Sequence, residues 1–352
     1  MLSSDLKIIA GPCSAESYEQ LRAVAKQLES VNLFAFRAGV WKPRTHPGEF
    51  EGMGSIALAW MRDIQAEFGL NVLTEVANSF HIESVLAHGF KLMWIGARTT
   101  SNPFSVQELA DSLKGTNATV LIKNPTNPDL KLWVGGIERL YKAGIKKVIA
   151  VHRGFSTYEK QKYRNLPNWQ IPIALRTEFP DLEIICDPSH ISGLANNVFE
   201  VSQKAIDLKF DGLMVEVHPE PSNAKTDAKQ QITPEEFKHL LINLKIRSRQ
   251  AIDQEEIREL RANIAILDQQ IIEVFAKRMD LVEQIGNYKK RNHIAIFQPN
   301  QWEDALAKFL KFSEDAELSQ EFAKEVFKLI HQESIDIQSR IFRNVESSDP
   351  AS

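Results

Sequence analysis

The chain has 352 residues, 43% of them hydrophobic and 25% charged, with a net charge of −4 and two cysteines. This balance allows a sizeable core, offers no bulk charge for nucleic acid or membrane surfaces, and is too poor in cysteine for a disulfide framework. No run is long and apolar enough for a membrane helix, and "MLSSDLKIIAG" (1–11) lacks the pattern of a secretory signal, so a reducing cytoplasm is the expected location.

Eight short apolar runs recur along the first two thirds. They are KIIAG (7–11), LFAFRAG (33–39), NVLTEV (71–76), LMWIGA (92–97), TVLIKN (119–124), KVIAVHR (147–153), LEIICDP (182–188) and GLMVEVH (212–218). Near-continuous rather than alternating apolarity suits parallel strands buried on both faces. Between them lie amphipathic helical stretches, such as 18–30, 104–114 and 235–245. Eight strand–helix units in about 250 residues predict a (β/α)₈ barrel over 1–246. An open doubly wound sheet is the rival, but neither a Gly-rich dinucleotide fingerprint nor a P-loop is present.

The texture changes near residue 253. Apolar residues at 257, 260, 264, 267, 271, 274, 275, 281, 282 and 285 mark one face of a single helix of nearly forty residues, roughly 55 Å long. Two further helices are expected over 299–312, with Pro299 at the first helical position, and over 319–342. The expected organisation is a barrel (1–246), a linker (247–253), an all-α three-helix domain (254–343) and a frayed tail (344–352).

Chemistry-bearing residues cluster at the ends of the predicted strands, the face on which barrel active sites are built. Cys13 follows the first strand, His190 the seventh, Glu216 ends the eighth, and Asp227 lies in the loop after it. A thiolate, an imidazole and two carboxylates converging on one face make a divalent-metal site, with Mn²⁺ the first choice and Fe²⁺, Co²⁺ or Zn²⁺ also compatible. Cys186, inside a strand, reads as core filler. The same strand ends carry Arg37, Lys42, Arg44, Arg98, Lys123 and Arg153. Cations ending apolar strands need anions to face, and the arginine fork suits phosphate and carboxylate, so phosphorylated substrates are implied.

The motifs AGPCS, FRAG-x-x-KPRT, IGART, DPSH and VEVHP, in this order, resemble the type I DAHP synthases, in particular the subclass without a long N-terminal extension. The resemblance covers residue 6 to about 245. The helical segment is similar to the AroQ class of chorismate mutases over about 255–342, through LR-x-x-I-x-x-LD, KR-x-x-L-V-x-x-IG-x-YK and QES-x-x-x-Q. The first resemblance implies condensation of phosphoenolpyruvate with erythrose 4-phosphate. Arg37, Lys42, Arg98, Lys123 and Arg153 would then hold phosphoenolpyruvate, and Arg44 and Thr45, with Thr99 near by, the sugar phosphate. The second implies rearrangement of chorismate to prephenate. Arg261 and Arg278 would grip carboxylates, Lys289 and Gln338 would donate to the ether oxygen, and Ser334 would assist one carboxylate. The chain departs from the mutase pattern at the start of its second helix, where Gln298, Gln301 and Trp302 replace an acidic residue and an Arg-Glu pair, with Glu303 one place off. Lying seventeen residues apart on one helix, Arg261 and Arg278 are about 25 Å apart along the axis and cannot grip one chorismate from one chain. The resemblance therefore implies at least a dimer through the helical domain. Prephenate is the expected feedback effector, sensed by that domain. One alternative is a DAHP synthase whose helical domain only senses a ligand or dimerises. A more distant one is a Schiff-base aldolase using Lys123.

Overall fold

The computed structural model describes residues 6–44, 46–158, 161–247 and 255–343. The chain divides into two compact units, on either side of residues 249 and 250. Most of the expected linker and all of the expected tail, together with Thr45, lie outside the described residues.

The first unit runs β1 (Lys7–Gly11), α1 (Tyr18–Gln27), β2 (Ala35–Arg37), α2 (Ser55–Phe68), β3 (Val72–Val76), α3 (Ser79–Ala87) and β4 (Leu92–Ile95). It continues with α4 (Ala97–Thr100), α5 (Pro103–Ser112), β5 (Thr119–Lys123), α6 (Leu130–Lys142), β6 (Lys147–His152), α7 (Gln170–Glu178) and β7 (Glu183–Cys186). Last come α8 (Pro188–Ser192), α9 (Val198–Asp207), β8 (Gly212–Glu216) and α10 (Pro234–Asn243). The strands close in sequence order, and β1 pairs in parallel with both β2 and β8. The strands are near-continuously apolar because each has two dry faces. Ile9, Ala35, Leu73, Trp94, Leu121, Ile149, Val151, Ile185 and Met214 fill the interior, while a larger cluster packs the outer faces against the helices. Below them, Lys7 and Lys147 each hold an ammonium 5.5 Å from the Phe34 ring centroid.

Several strands are shorter than their apolar runs. The run at 182–188 ends as strand at Cys186, because Asp187 turns to cap α8 and accepts from the His190 amide. Pro188 occupies the first helical position, where a missing N–H costs nothing. The Asp-Pro pair therefore lifts His190 onto the barrel mouth.

The second unit comprises α11 (Glu255–Arg291), α12 (Pro299–Asp315) and α13 (Gln320–Arg343). Gly286 lets α11 approach α13 closely, since a Cβ there would lie 2.8 Å from Ile341 Cδ1 and 3.0 Å from Gln338 Cγ. Phe327 is buried between Trp302 and Phe309, with ring centroids at 5.0 and 5.2 Å. The apolar stripe of α11 stays largely uncovered: Leu260, Ile264, Leu267, Ile271, Val274, Leu281 and Ile285 are 49–61% exposed.

Candidate active site

The barrel mouth encloses a cavity of about 510 Å³ lined by Lys42, Arg44, Arg98, Lys123, Arg153, His190 and Asp227, among others. Beneath it, ligand-type atoms of Cys13, Glu216 and Asp227 lie within 4.8 Å of one another. Cys13 Sγ is 3.4 Å from Asp227 Oδ2 and accepts from Lys42 Nζ at 3.0 Å. Burial, and then Glu216, push the Cys13 thiol up to about 12. Burial works against charge on Asp227 too, but His190, Arg164 and Lys42 outweigh it and hold that carboxyl well below its ordinary range. A neutral buried thiol beside charged carboxylates fits a cation that would displace its proton.

His190 stands outside this cluster. Its Nδ1 lies 3.0 Å from Asp187 Oδ1 and 3.8 Å from Glu216 Oε1. Burial keeps the imidazole below its ordinary pKa, although Asp187 pulls the other way. A carboxylate holding Nδ1 is the usual way to present Nε2 to a metal.

The cations are not free-standing. Arg37, wholly buried, pairs with Glu216 at 3.0 Å and lies beneath the cavity rather than in its wall. Lys123 pairs with Asp187 at 2.8 Å. Arg37 and Lys123 both approach the buried Trp94, with centroid distances of 4.9 and 5.6 Å. Arg153 donates to Asn165 Oδ1 at 2.7 Å, and burial pushes its guanidinium down to about 10. Arg98 donates to the Pro43 carbonyl at 2.7 Å, and Arg44 to Glu49 at 2.8 Å. Thr99 is half-buried and is not in the cavity wall.

Sequence reasoning missed several residues at this mouth. Asp187 sits inside the DPSH motif and could have been read as the partner of His190. Glu75, which accepts from Trp94 Nε1 at 3.2 Å, is a charged residue one place before the end of β3. Arg164, Asn165 and Gln230 lie outside the regular strands and carry no periodic signal.

In the helical unit, Arg278 Nη1 donates to Ser334 Oγ at 2.7 Å. Ser334 and Gln338 are buried, and Gln338 Oε1 is buried with no hydrogen-bond partner, so the site has an unmet polar demand. Lys289 donates to the Ile296 carbonyl at 2.7 Å. Burial lowers the pKa of His331, and Arg278 and Lys289 add to the effect, which puts all three in one neighbourhood. Trp302 packs on His331 at 4.2 Å, so one of the departures from the mutase pattern is an aromatic contact. Arg261 is exposed on a distant part of α11 and is not brought to this group.

A parallel barrel whose mouth joins a thiol–carboxylate cluster to buried cations is an enzyme fold built around anionic substrates. Residues 3–250 match the DAHP synthetase I family, and residues 260–339 match chorismate mutase type II. The chain belongs to the DAHP synthetase I family. It is 35% identical over 238 residues to the phospho-2-dehydro-3-deoxyheptonate aldolase of Thermotoga maritima, covering 68% of each chain. It is 28% identical over 267 residues to a 2-dehydro-3-deoxyphosphooctonate aldolase of Helicobacter pylori, covering 67% of this chain and 93% of the relative. The crystal structure of the Thermotoga maritima enzyme has a TM-score of 0.61 at 31% identity, covering 68% of both chains. The chain therefore joins a DAHP synthase domain to a chorismate mutase domain, a transferase and an isomerase of the shikimate pathway in one polypeptide.

Proposed function

We propose that the barrel condenses phosphoenolpyruvate with erythrose 4-phosphate at the cavity above Cys13, Glu216 and Asp227. The observation that carries this reading is the convergence of those three ligands below a cavity walled by Lys42, Lys123 and Arg153. A divalent cation held by Cys13, Glu216 and Asp227, with His190 as fourth donor and Mn²⁺ the first choice, would supply Lewis-acid polarisation of the aldehyde oxygen. Lys123 and Arg153 are buried and fixed, so they bind the anionic groups of phosphoenolpyruvate without reorganising. Lys42 joins them from the opposite wall. Arg37 acts from below, holding Glu216 in place and adding positive potential. Arg98 also serves phosphoenolpyruvate, and Arg44, with Thr45 and with Thr99 near by, takes the sugar phosphate. C3 of phosphoenolpyruvate bonds to the aldehyde carbon, water adds at C2, and inorganic phosphate leaves as its bond to C2 breaks.

The helical unit rearranges chorismate to prephenate, a reaction that needs no nucleophile and no proton transfer. Holding the dicarboxylate compactly and stabilising charge on the ether oxygen suffices. Arg278 with Ser334 serves one carboxylate, and Lys289 and Gln338 the ether oxygen. Arg261 comes from a second chain, whose α11 covers the exposed stripe of the first. The unit is thus at least a dimer, and prephenate bound there damps the condensation, all in the cytoplasm.

The test is to assay both reactions on the full chain before and after exhaustive EDTA treatment. Loss of the condensation with the mutase spared is expected, because all the proposed ligands lie in the barrel. Prephenate titration of the full chain and of a chain ending near Ile246 tests the feedback. Inhibition of the full chain alone is expected, and an equal response in both counts against it.

A further inference from the structure

The metal-ligand cluster poses a local problem. Two carboxylates and a thiol lie within 4.8 Å of one another, and each carboxylate must offer one oxygen inward while its other is held. Glu216 solves this from both sides: Oε1 accepts from Arg37 at 3.0 Å and Oε2 from Gln230 Nε2 at 2.7 Å. Asp227 has a harder task. Its backbone lies in the left-handed region, with φ +49° and ψ +35°, a conformation that few non-glycine residues adopt. Its Oδ2 faces Cys13, and its Oδ1 accepts from Arg164 Nη1 at 2.8 Å. The same Nη1 also donates to Gln230 Oε1 at 2.8 Å.

We infer that Arg164 and Gln230 form a positioning relay for the metal site, in which one guanidinium fixes Asp227 directly and Glu216 through Gln230. Gln230 is almost wholly buried and is used at both ends of its amide. Its orientation is set by Arg164, because only an amide oxygen can accept from the guanidinium, which turns the NH₂ toward Glu216. Arg164 lines the cavity, but its hydrogen bonds there run to Asp227 and Gln230, and Gln230 lies outside the cavity wall, so both are positioning residues that act through the ligands. The inference rests on the reading of Cys13, Glu216 and Asp227 as metal ligands.

Two effects of Arg164 oppose each other. Its charge repels a dication, while its hydrogen bonds hold the ligands ready. The side chain is 50% exposed, so water screens the repulsion. The orientation of Asp227 is local and unscreened, so positioning wins. Outer partners of this kind are typically worth about 10–100-fold in metal affinity.

The experiment measures Mn²⁺ binding to the metal-stripped full chain by calorimetry, for wild type, Arg164→Ala, Arg164→Lys, Gln230→Ala and the Arg164→Ala/Gln230→Ala double variant. Each alanine variant is expected to weaken binding about tenfold or more, with Arg164→Lys recovering part of the loss. The double variant should lose little more than either single one, because the two residues act as a unit. Apo-protein melting temperatures report whether a variant has merely misfolded, and Arg164→Lys keeps the test decisive if one has. Wild-type affinity in Arg164→Ala, or strictly additive losses in the double variant, would overturn the relay. No Mn²⁺ binding by the wild type itself, or unchanged binding after Cys13→Ala, would instead overturn the reading of the site on which it rests.

Discussion

The two units solve opposite problems with charge. In the barrel each buried cation faces a partner, Arg37 Glu216, Lys123 Asp187 and Arg153 Asn165, although Nε and Nη1 of Arg37 stay unbonded. The helical unit does the reverse. Its group of Arg278, Ser334, Lys289 and Gln338 leaves a buried acceptor unmet, and beside it runs an apolar stripe that three helices cannot cover. A closed sheet brings eight strand ends to one place within one chain, whereas a 37-residue helix carries its functional residues apart as surely as it carries them. On the proposed reading, the barrel site draws on a single polypeptide and the helical site on two.

The largest effect that would break this contrast is in the barrel. Cys13→Ala should abolish the condensation and leave the mutase rate at wild type, while Cys186→Ala, a buried thiol outside the cluster, should leave both. Assaying both reactions on each variant checks it, and a condensing Cys13→Ala protein would mean the thiol is core filler after all. Next is Arg278→Ala. Losing an Arg–carboxylate contact in a desolvated site costs about 2–5 kcal/mol, so the mutase rate should fall at least tenfold with the condensation unchanged. Mixing Arg261→Ala with Arg278→Ala chains then sharpens the point. Mixed dimers should regain one intact site, and no regain after subunit exchange would mean that each chain works alone.

The smallest expected effect lies in the barrel wall. Burial among Trp133, Phe155, Trp169 and Phe210 pushes His152 down to about 3. Above pH 6.5 both folded and unfolded forms are neutral there and nothing is lost. As the pH falls below that, the unfolded chain takes up a proton that the folded barrel refuses. Stability then declines, by at most about 1.4 kcal/mol per pH unit, until the folded value is reached. His152→Phe should flatten the acid side of the barrel's melting curve, measured against pH. An unchanged slope would mean that His152 gains its proton without unfolding.

Much of this was legible in the sequence because the barrel writes its logic locally. Apolar runs mark the strands, and a polar residue just past each run marks the mouth, so Cys13, His190, Glu216 and the cations stood out. The pairing of those cations did not. Nothing about Lys123 announces Asp187, 64 residues away in the chain and beside it at 2.8 Å. Arg164 and Gln230 were equally hidden, since a loop has no period and a hydrogen bond between two loops leaves no trace in either. In the helical unit the 3.6-residue period gave the apolar stripe, but that stripe reads the same whether it faces a core, a partner or water. Only the structure shows that the described helices of its own unit leave it largely bare.

The Phe34 ring, with Lys7 and Lys147 against it below the packed interior, makes the barrel a well with a sealed bottom. Everything that enters leaves by the same opening. The deepest cations, Lys123 and Arg153, can be reached only while the rim around Arg98 is vacant. With the two substrates seated as proposed, traffic would be a queue in a blind alley: the molecule bound deepest would arrive first, the second would stopper it, and their joined product would back out past the rim before the next pair entered.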